Sequence, residues 1–152
     1  NLIETCCQGI TRYIVRRLKM ALHSFPLQEA LYSRLDGDST LGALITGVYD
    51  AVPDDTALPI VVIGPASTSD DGSKTLDARD YIFNVDVWSD YRGMKETKNI
   101  SQRVYTLLHE HDLSVSGANL IDLRCEFSSE VLENDGVTRH GVMRFRAFIT
   151  DS

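Results

Sequence analysis

The chain is short of the features that mark several large functional classes. No apolar run approaches the roughly 18 residues of a bilayer-spanning helix, so no membrane partner is expected. Cysteine is scarce: Cys6 and Cys7 are adjacent, a spacing that rarely bridges, and Cys125 falls at an inward position of an alternating strand. Three such thiols make no disulfide framework and fit a reducing compartment, with Cys125 a packed thiol. No serine sits in a Gly-x-Ser-x-Gly elbow, and no glycine-rich loop follows a strand to cradle phosphate, so the common hydrolase and nucleotide signatures are missing. Positive charge is also limited, with 15 Lys and Arg against 22 Asp and Glu and a net charge of −7. That balance argues against wrapping nucleic acid through phosphate neutralisation.

The charge is unevenly spread. Residues 1–19 carry Arg12, Arg16, Arg17 and Lys19 against Glu4, a surplus of three, so the remainder carries −10. The basic segment lacks the apolar centre of a secretory signal. Ile10, Tyr13, Ile14 and Leu18 can line one face of a short helix, and Met20-Ala21-Leu22 resembles a natural start. Two readings of residues 1–19 stand: an arm docking on an acidic neighbour, or an upstream, non-native extension. Residues 20–152 form one domain, long enough to bury a core.

Periodicity predicts the elements. Leu27, Ala30, Leu31 and Leu35 recur at helical spacing after Ser24 and Pro26, and a short helix follows at 40–45, capped by Ser39 or Thr40 and stopped by Gly47. Val48–Pro53 is expected to be extended, and Pro59–Gly64 is a short β-branched strand buried on both faces. Ser67–Arg79 is polar and rich in Gly, Ser and Asp, which predicts an exposed, mobile loop. Strand 80–88 alternates Tyr81, Phe83, Val85 and Val87 against Asn84 and Asp86. A helix over 94–109 has Thr97, Ile100, Val104, Leu107, Leu108 and His111 on one stripe.

The last third predicts a long hairpin. Ile121, Leu123, Cys125 and Phe127 alternate with charged or polar neighbours, as do Met143, Phe145, Ala147 and Ile149 around Arg144 and Arg146. A three-residue loop, Asn134-Asp135-Gly136, sets Phe127 opposite Met143, Cys125 opposite Phe145, Arg124 opposite Arg146 and Glu126 opposite Arg144. A two-residue loop would set Phe127 against Arg144 and is rejected. The expected fold is α+β: a four-stranded, mainly antiparallel sheet with a long C-terminal hairpin, covered by an amphipathic helix and an N-terminal helix. The strand pairs are 60–66 with 80–88 and 120–132 with 138–149.

Candidate chemistry is sparse. His109-Glu110-His111-Asp112 has the wrong helical spacing for a metal, and Asp36-Gly37-Asp38 and Asp70-Asp71-Gly72 lack the other ligands of a calcium loop, so no metal, cofactor or catalytic residue is assigned. Cys6 lies beside basic residues but has no partner base. The densest charged face is Arg124, Glu126, Arg144 and Arg146. It is either solvated with cross-strand pairs or a subunit contact, because Arg124 opposite Arg146 needs an acid, from Asp122 or from a neighbouring subunit. Trp88 and Tyr91 form a second candidate patch, or cap the local core. Asp70, Asp71 and Lys74 in the 67–79 loop complete the candidate contacts.

Several stretches resemble the tail completion, or tail terminator, proteins of siphovirus-like phages and gene transfer agents. They are Leu27–Leu35 with Asp38 and Leu41, Val48-Tyr49-Asp50 followed by Val52-Pro53, Leu58–Gly64, Val85–Ser89 and Asp135–Arg146. The resemblance runs from about Met20 to Asp151. It implies a non-enzymatic ring, typically hexameric, that caps the tail tube, stops its growth and meets a neck or stopper protein. DNA is then only a passing occupant of the lumen. The expected place is the virion, at the neck end of the tail, after assembly in the host cytoplasm. Two other readings are a different neck component (stopper or adaptor) and a small ligand-binding α+β domain. The last would need converging polar groups that the sequence does not offer. Reversing both Arg144 and Arg146 is expected to leave a folded chain unable to form rings.

Overall fold

A computed structural model describes residues 21–73 and 76–152. In chain order the elements are α1 (Ser24–Asp36), α2 (Ser39–Gly42), β1 (Val48–Tyr49), β2 (Ile60–Asp70), β3 (Ala78–Ser89), α3 (Lys95–Leu108), β4 (Ala118–Leu132) and β5 (Arg139–Asp151). The class is α+β, as expected, but the sheet is mixed and has five strands in the order β1-β2-β3-β5-β4. The added strand is Val48–Tyr49, which runs parallel to β2 opposite Val61 and Val62. The other pairings are antiparallel.

The pairing of β3 with β5 organises the sheet. Tyr81, Phe83, Val85 and Val87 stand opposite Ala147, Phe145, Met143 and Gly141, and all are buried. Alternation of this regularity suits a strand with neighbours on both sides. β4 is charged or polar at Asp122, Arg124, Glu126, Ser128, Ser129 and Glu130, and it takes the edge, where unpaired backbone meets water.

Both longer helices pack on the same core. Leu27, Leu31 and Leu35 of α1, one helical turn apart, join Ile100, Val104, Leu107 and Leu108 of α3 in the buried cluster. α3 approaches β5 closely because position 141 is glycine: a Cβ there would lie 3.0 Å from Ser101 Oγ and 3.1 Å from Thr97 Cγ2. Asp38, rather than Ser39 or Thr40, caps α2, accepting from Leu41 N at 2.7 Å. Arg103 of α3 donates to both Asp38 oxygens at 2.9 and 2.6 Å. The Arg103 hydrogen bonds, followed by the Leu41 amide, lower the carboxyl to about 2. At the other end of the sheet, buried His23 donates its amide to Tyr81 Oη and sets its ring 2.7 Å from Asp151.

Four expectations are corrected. The stripe of α3 does not reach His111, because the helix ends at Leu108 and the backbone turns extended at His109 and left-handed at Glu110. His111 is exposed, and it is His109 that faces the sheet, its Nδ1 accepting from Cys125 N at 3.0 Å and its ring stacked on Tyr105. The expected loop over 67–79 is strand at both ends: Ser67–Asp70 extend β2, and Ala78 and Arg79 open β3. Pairing with β3 supplies the backbone hydrogen bonds that composition alone did not suggest. The third correction is α2, which is shorter than 40–45 and closes at Ala43 instead of Gly47.

The fourth concerns the hairpin register. Leu123 opposite Ala147, Arg124 opposite Arg146 and Cys125 opposite Phe145 are as expected. Beyond Cys125 the ladder slips by one, so that Phe127 faces Arg144, the pairing the sequence argued against, and Ser128 faces Met143. Glu126 is the extra residue of this bulge, and Ile121 of a second one between Leu120 and Asp122. The connection is four residues long, since Glu133 N donates to Thr138 O at 2.8 Å. Gly136 takes a positive φ of 70° there. Asp135 fastens this turn, accepting from Val137 N and Thr138 N at 2.8 Å and from Thr138 Oγ1 at 2.5 Å. Those bonds, the Thr138 hydroxyl first, lower its carboxyl below the usual value.

Candidate functional site

The face of the sheet opposite the helices carries most of the candidate residues. Its ladder, read across β3, β5 and β4, pairs Asp80, Phe148 and Asp122 in one row, then Ile82, Arg146 and Arg124. Next come Asn84, Arg144 and Phe127, and after Asp86, Val142 and Ser129 the last row is Trp88, His140 and Val131. One end of the face is thus an ionic cluster, the other an aromatic and histidine cluster.

The ionic end resolves the Arg124–Arg146 conflict within the chain. Arg146 Nε and Nη2 donate to the two oxygens of Asp80 at 2.9 and 2.5 Å, a bidentate pair on a carboxylate that is almost wholly buried. That hydrogen bonding raises the Arg146 pKa, with smaller contributions from Glu126 and Asp71. Glu126 lies 3.8 Å from Arg146, so it meets that residue and not Arg144. Arg124 is held by Asp122 at 2.8 Å. Together Asp80, Asp122, Arg124, Glu126, Arg146 and Phe148 line an open cavity of about 330 Å³. Its charges are paired, three acids with two bases. Of the two expected sources of an acid, Asp122 is the one seen on Arg124, and Asp80, which was not expected, pairs with Arg146, so the acids come from within the chain.

Arg144 stands apart. It is exposed, and its guanidinium lies 5.9 Å from the centroid of the Phe127 ring. Phe127 is 51% exposed because the Glu126 bulge turns it to the outer face. Ile121, the other bulge residue, is 60% exposed; Val131 continues the outer face toward the hairpin tip, and Leu132, of the opposite parity, and Val137 of the turn are exposed as well. Cys125 sits between the two bulges, half-buried, with burial pushing its thiol pKa up.

At the far end Trp88 is half-buried, its ring stacked on His140 at 3.8 Å, so it belongs to this face. Tyr91 lies beyond the strand and is 49% exposed. Asp70 and Asp71 are exposed at the β2–β3 tip, where Asp70 accepts from Gly72 N at 3.0 Å. Lys74 and residues 1–19 lie outside the described residues. The structure therefore gathers Arg124, Glu126, Arg144, Arg146 and Trp88 on one face and leaves Tyr91, Asp70 and Asp71 at its borders. Sequence reading missed Asp80, Phe127, Glu133 and His140. Asp80 was within reach, since it shares the parity of Asn84 and Asp86.

Among the described residues no group of three or more His, Cys, Asp or Glu side chains is placed to hold a metal.

Residues 29–150 match the family model described as tail completion protein gp17. The chain is 26% identical over 131 residues to the tail completion protein gp17 of Bacillus phage SPP1, covering 86% of this chain and 97% of that protein. It is similar in structure to a chain in the virion of a native gene transfer agent particle. There the TM-score is 0.76 and the identity 31%, over 82% of this chain and 94% of the other. The structure of bacteriophage SPP1 gp17 matches with a TM-score of 0.62 and 25% identity, over 88% and 94% of the two chains.

Proposed function

The chain belongs to the gp17 family of tail completion proteins, and on that premise we propose that it closes the end of a tail tube as a hexameric ring. Membership makes it a structural component of a phage or gene-transfer-agent virion tail. In the proposed ring it stops tube growth, presents a surface to a neck or stopper protein, and lets DNA pass without specific contact. It performs no catalysis.

The observation that carries the reading is the asymmetry of the two flanks of the sheet. One flank is the 15-residue edge strand β4, with its bulged apolar residues. The other is β1, two residues long, beyond which β2 itself forms the edge with exposed Ala66–Asp70. A closed ring built head to tail needs two unlike surfaces on opposite sides of one protomer. The excess of acidic groups fits a lumen that repels DNA rather than binding it.

The contact surface on the β4 side is Phe127 with Arg144 and Val131, bordered by the paired charges of Arg124, Glu126 and Arg146 and by Trp88. Tyr91, Asp70, Asp71 and Lys74 serve as secondary contacts. Residues 1–19 act either as a docking arm or as an extension outside the domain.

Mass determination by light scattering, with and without tail tubes, tests the ring; a protein that stays monomeric in both conditions refutes it. Particles lacking the protein assign the role. Tails of uncontrolled length mean a terminator, whereas tails of normal length that fail to join heads mean a neck stopper or adaptor.

A further inference from the structure

His140 is placed between two carboxylates. Its Nε2 lies 2.8 Å from Asp86 Oδ1, and its Nδ1 lies 3.0 Å from Glu133 Oε1. A carboxylate only accepts, so each contact is a hydrogen bond only when that ring nitrogen carries a hydrogen. A neutral imidazole has one N–H and can satisfy one of the two; the imidazolium satisfies both. The three residues come from β3, from β5 and from the entry to the hairpin turn, so the bonds tie that turn down onto the sheet.

We propose that His140 is a proton-gated clasp on the hairpin tip. As the imidazolium it bridges Asp86 and Glu133. On losing one proton it keeps the bond to Asp86, and Glu133 is released. Glu133 is the partner given up because its bond is the longer and its side chain the more exposed, 35% against 20% for Asp86.

The surroundings add little that competes. β2 brings Ile60 and Val62 opposite Trp88 and Asp86, and neither is charged. β4 brings Val131 opposite His140, while Glu130 faces Gly141 on the other side of the sheet. Arg139, next in β5, donates from Nη1 to the Val137 carbonyl, and its buried Nε has no hydrogen-bond partner. The clasp governs the part of β4 and the turn that exposes Val131, Leu132 and Val137. Its consequence for assembly rests on the ring reading, whereas the clasp itself does not.

The experiment uses the full chain and its only tryptophan, Trp88, whose ring is parallel to His140 within 9°. A stacked imidazolium quenches indole emission. Raising the pH from about 5 to about 9, the range in which histidine changes charge, should increase the emission in a one-proton transition. His140→Gln should abolish that transition, and Glu133→Gln, which keeps an acceptor but removes the negative charge that favours the imidazolium, should move it to lower pH. Trypsin cleavage after Arg139, normalised to an unstructured peptide, should be faster on the alkaline side. His140→Gln should cleave at the faster rate at both pH values. Emission that does not change with pH, a transition that survives His140→Gln, or equal cleavage on both sides overturns the clasp. If His140→Gln does not fold, Glu133→Gln decides alone, and an unmoved midpoint refutes the proposal. None of these readouts needs a ring, so a monomeric chain that passes them sinks only the ring, and a ring-forming chain that fails them sinks only the clasp.

Discussion

Phe127 gives the sharpest test of the proposed subunit contact. A phenylalanine side chain buries roughly 200 Å² when fully covered, and 51% of Phe127 is open in the protomer. Covering that remainder in an interface removes about 100 Å² of apolar surface from water, which at about 25 cal/mol per Å² is about 2.5 kcal/mol. Truncation to alanine keeps the Cβ, so Phe127→Ala should weaken each contact by about 2 kcal/mol, or about thirtyfold in dissociation constant. The protomer should barely notice. Phe127 has lost its place against Met143 to the bulge, and its neighbour Arg144 is a surface cation. A change in stability within about 1 kcal/mol is expected, equivalent to a few degrees in melting temperature. The measurements are sedimentation velocity over a hundredfold range of concentration and a thermal melt of the same samples. Rings that dissociate at the same concentration as wild type would show that this surface faces solvent or another partner. A drop in melting temperature large enough to unfold the protomer would show that Phe127 packs inward, contradicting the bulge.

Three further outcomes follow from other contacts. Arg144→Glu should leave the melting temperature near that of wild type, while Arg146→Glu should lower it by setting a second carboxylate against buried Asp80; equal melting of the two would undo the pairing. The joint reversal of both arginines is therefore a stability lesion as well as an assembly one. Asp38→Asn keeps an acceptor for the Leu41 amide but removes the charge that Arg103 holds. Because the folded carboxyl lies at about 2 and the ordinary value is 3.8, the wild type has this stabilisation above the ordinary value and loses it as pH falls toward 2. The melting temperature of the variant should fall less over that interval, and parallel curves would rule the pair out as a stabiliser. Gly141→Ala should cost about 1–3 kcal/mol by pushing α3 from the sheet, with part recovered when Ser101→Ala removes the nearest atom; a neutral Gly141→Ala would mean that the helix is not seated on that glycine.

The elements were legible where one local pattern decided them. Leu27, Leu31 and Leu35 placed α1, the Thr97 to Leu108 stripe placed α3, and alternation placed β3 and β5. Pairings were less legible, because no strand states its neighbour. β3 and β5 each alternate on their own, and nothing in either indicates that Asn84 stands opposite Arg144. Without that pairing Asp80 has no visible partner, and Arg146 looks like a charge in need of a second subunit. Loop 67–79 failed for a related reason: a stretch rich in Gly, Ser and Asp reads as turn, yet Ser67–Asp70 are held by the ladder to β3 regardless of composition.

The bulges decide which side chains the outer face of β4 offers to the proposed contact. Counting back from the turn assumes that every residue of β4 keeps step with β5, and that held from Asp122 to Cys125. Past that point the side chains are Phe127, Ser128, Ser129, Glu130, Val131 and Leu132, and neither parity is apolar throughout. That lost alternation was the visible sign that the face changes. One extra residue, Glu126, transfers Phe127 from the row of Met143 to the row of Arg144. The same slip moves Glu126 off Arg144 and beside Arg146, where Asp80 already completes the pair. Arginine charge on this hairpin is therefore mostly spent inside the protomer, and the surface available to a neighbour is apolar: a phenylalanine pushed outward by a bulge, beside Arg144, to which it offers only its ring.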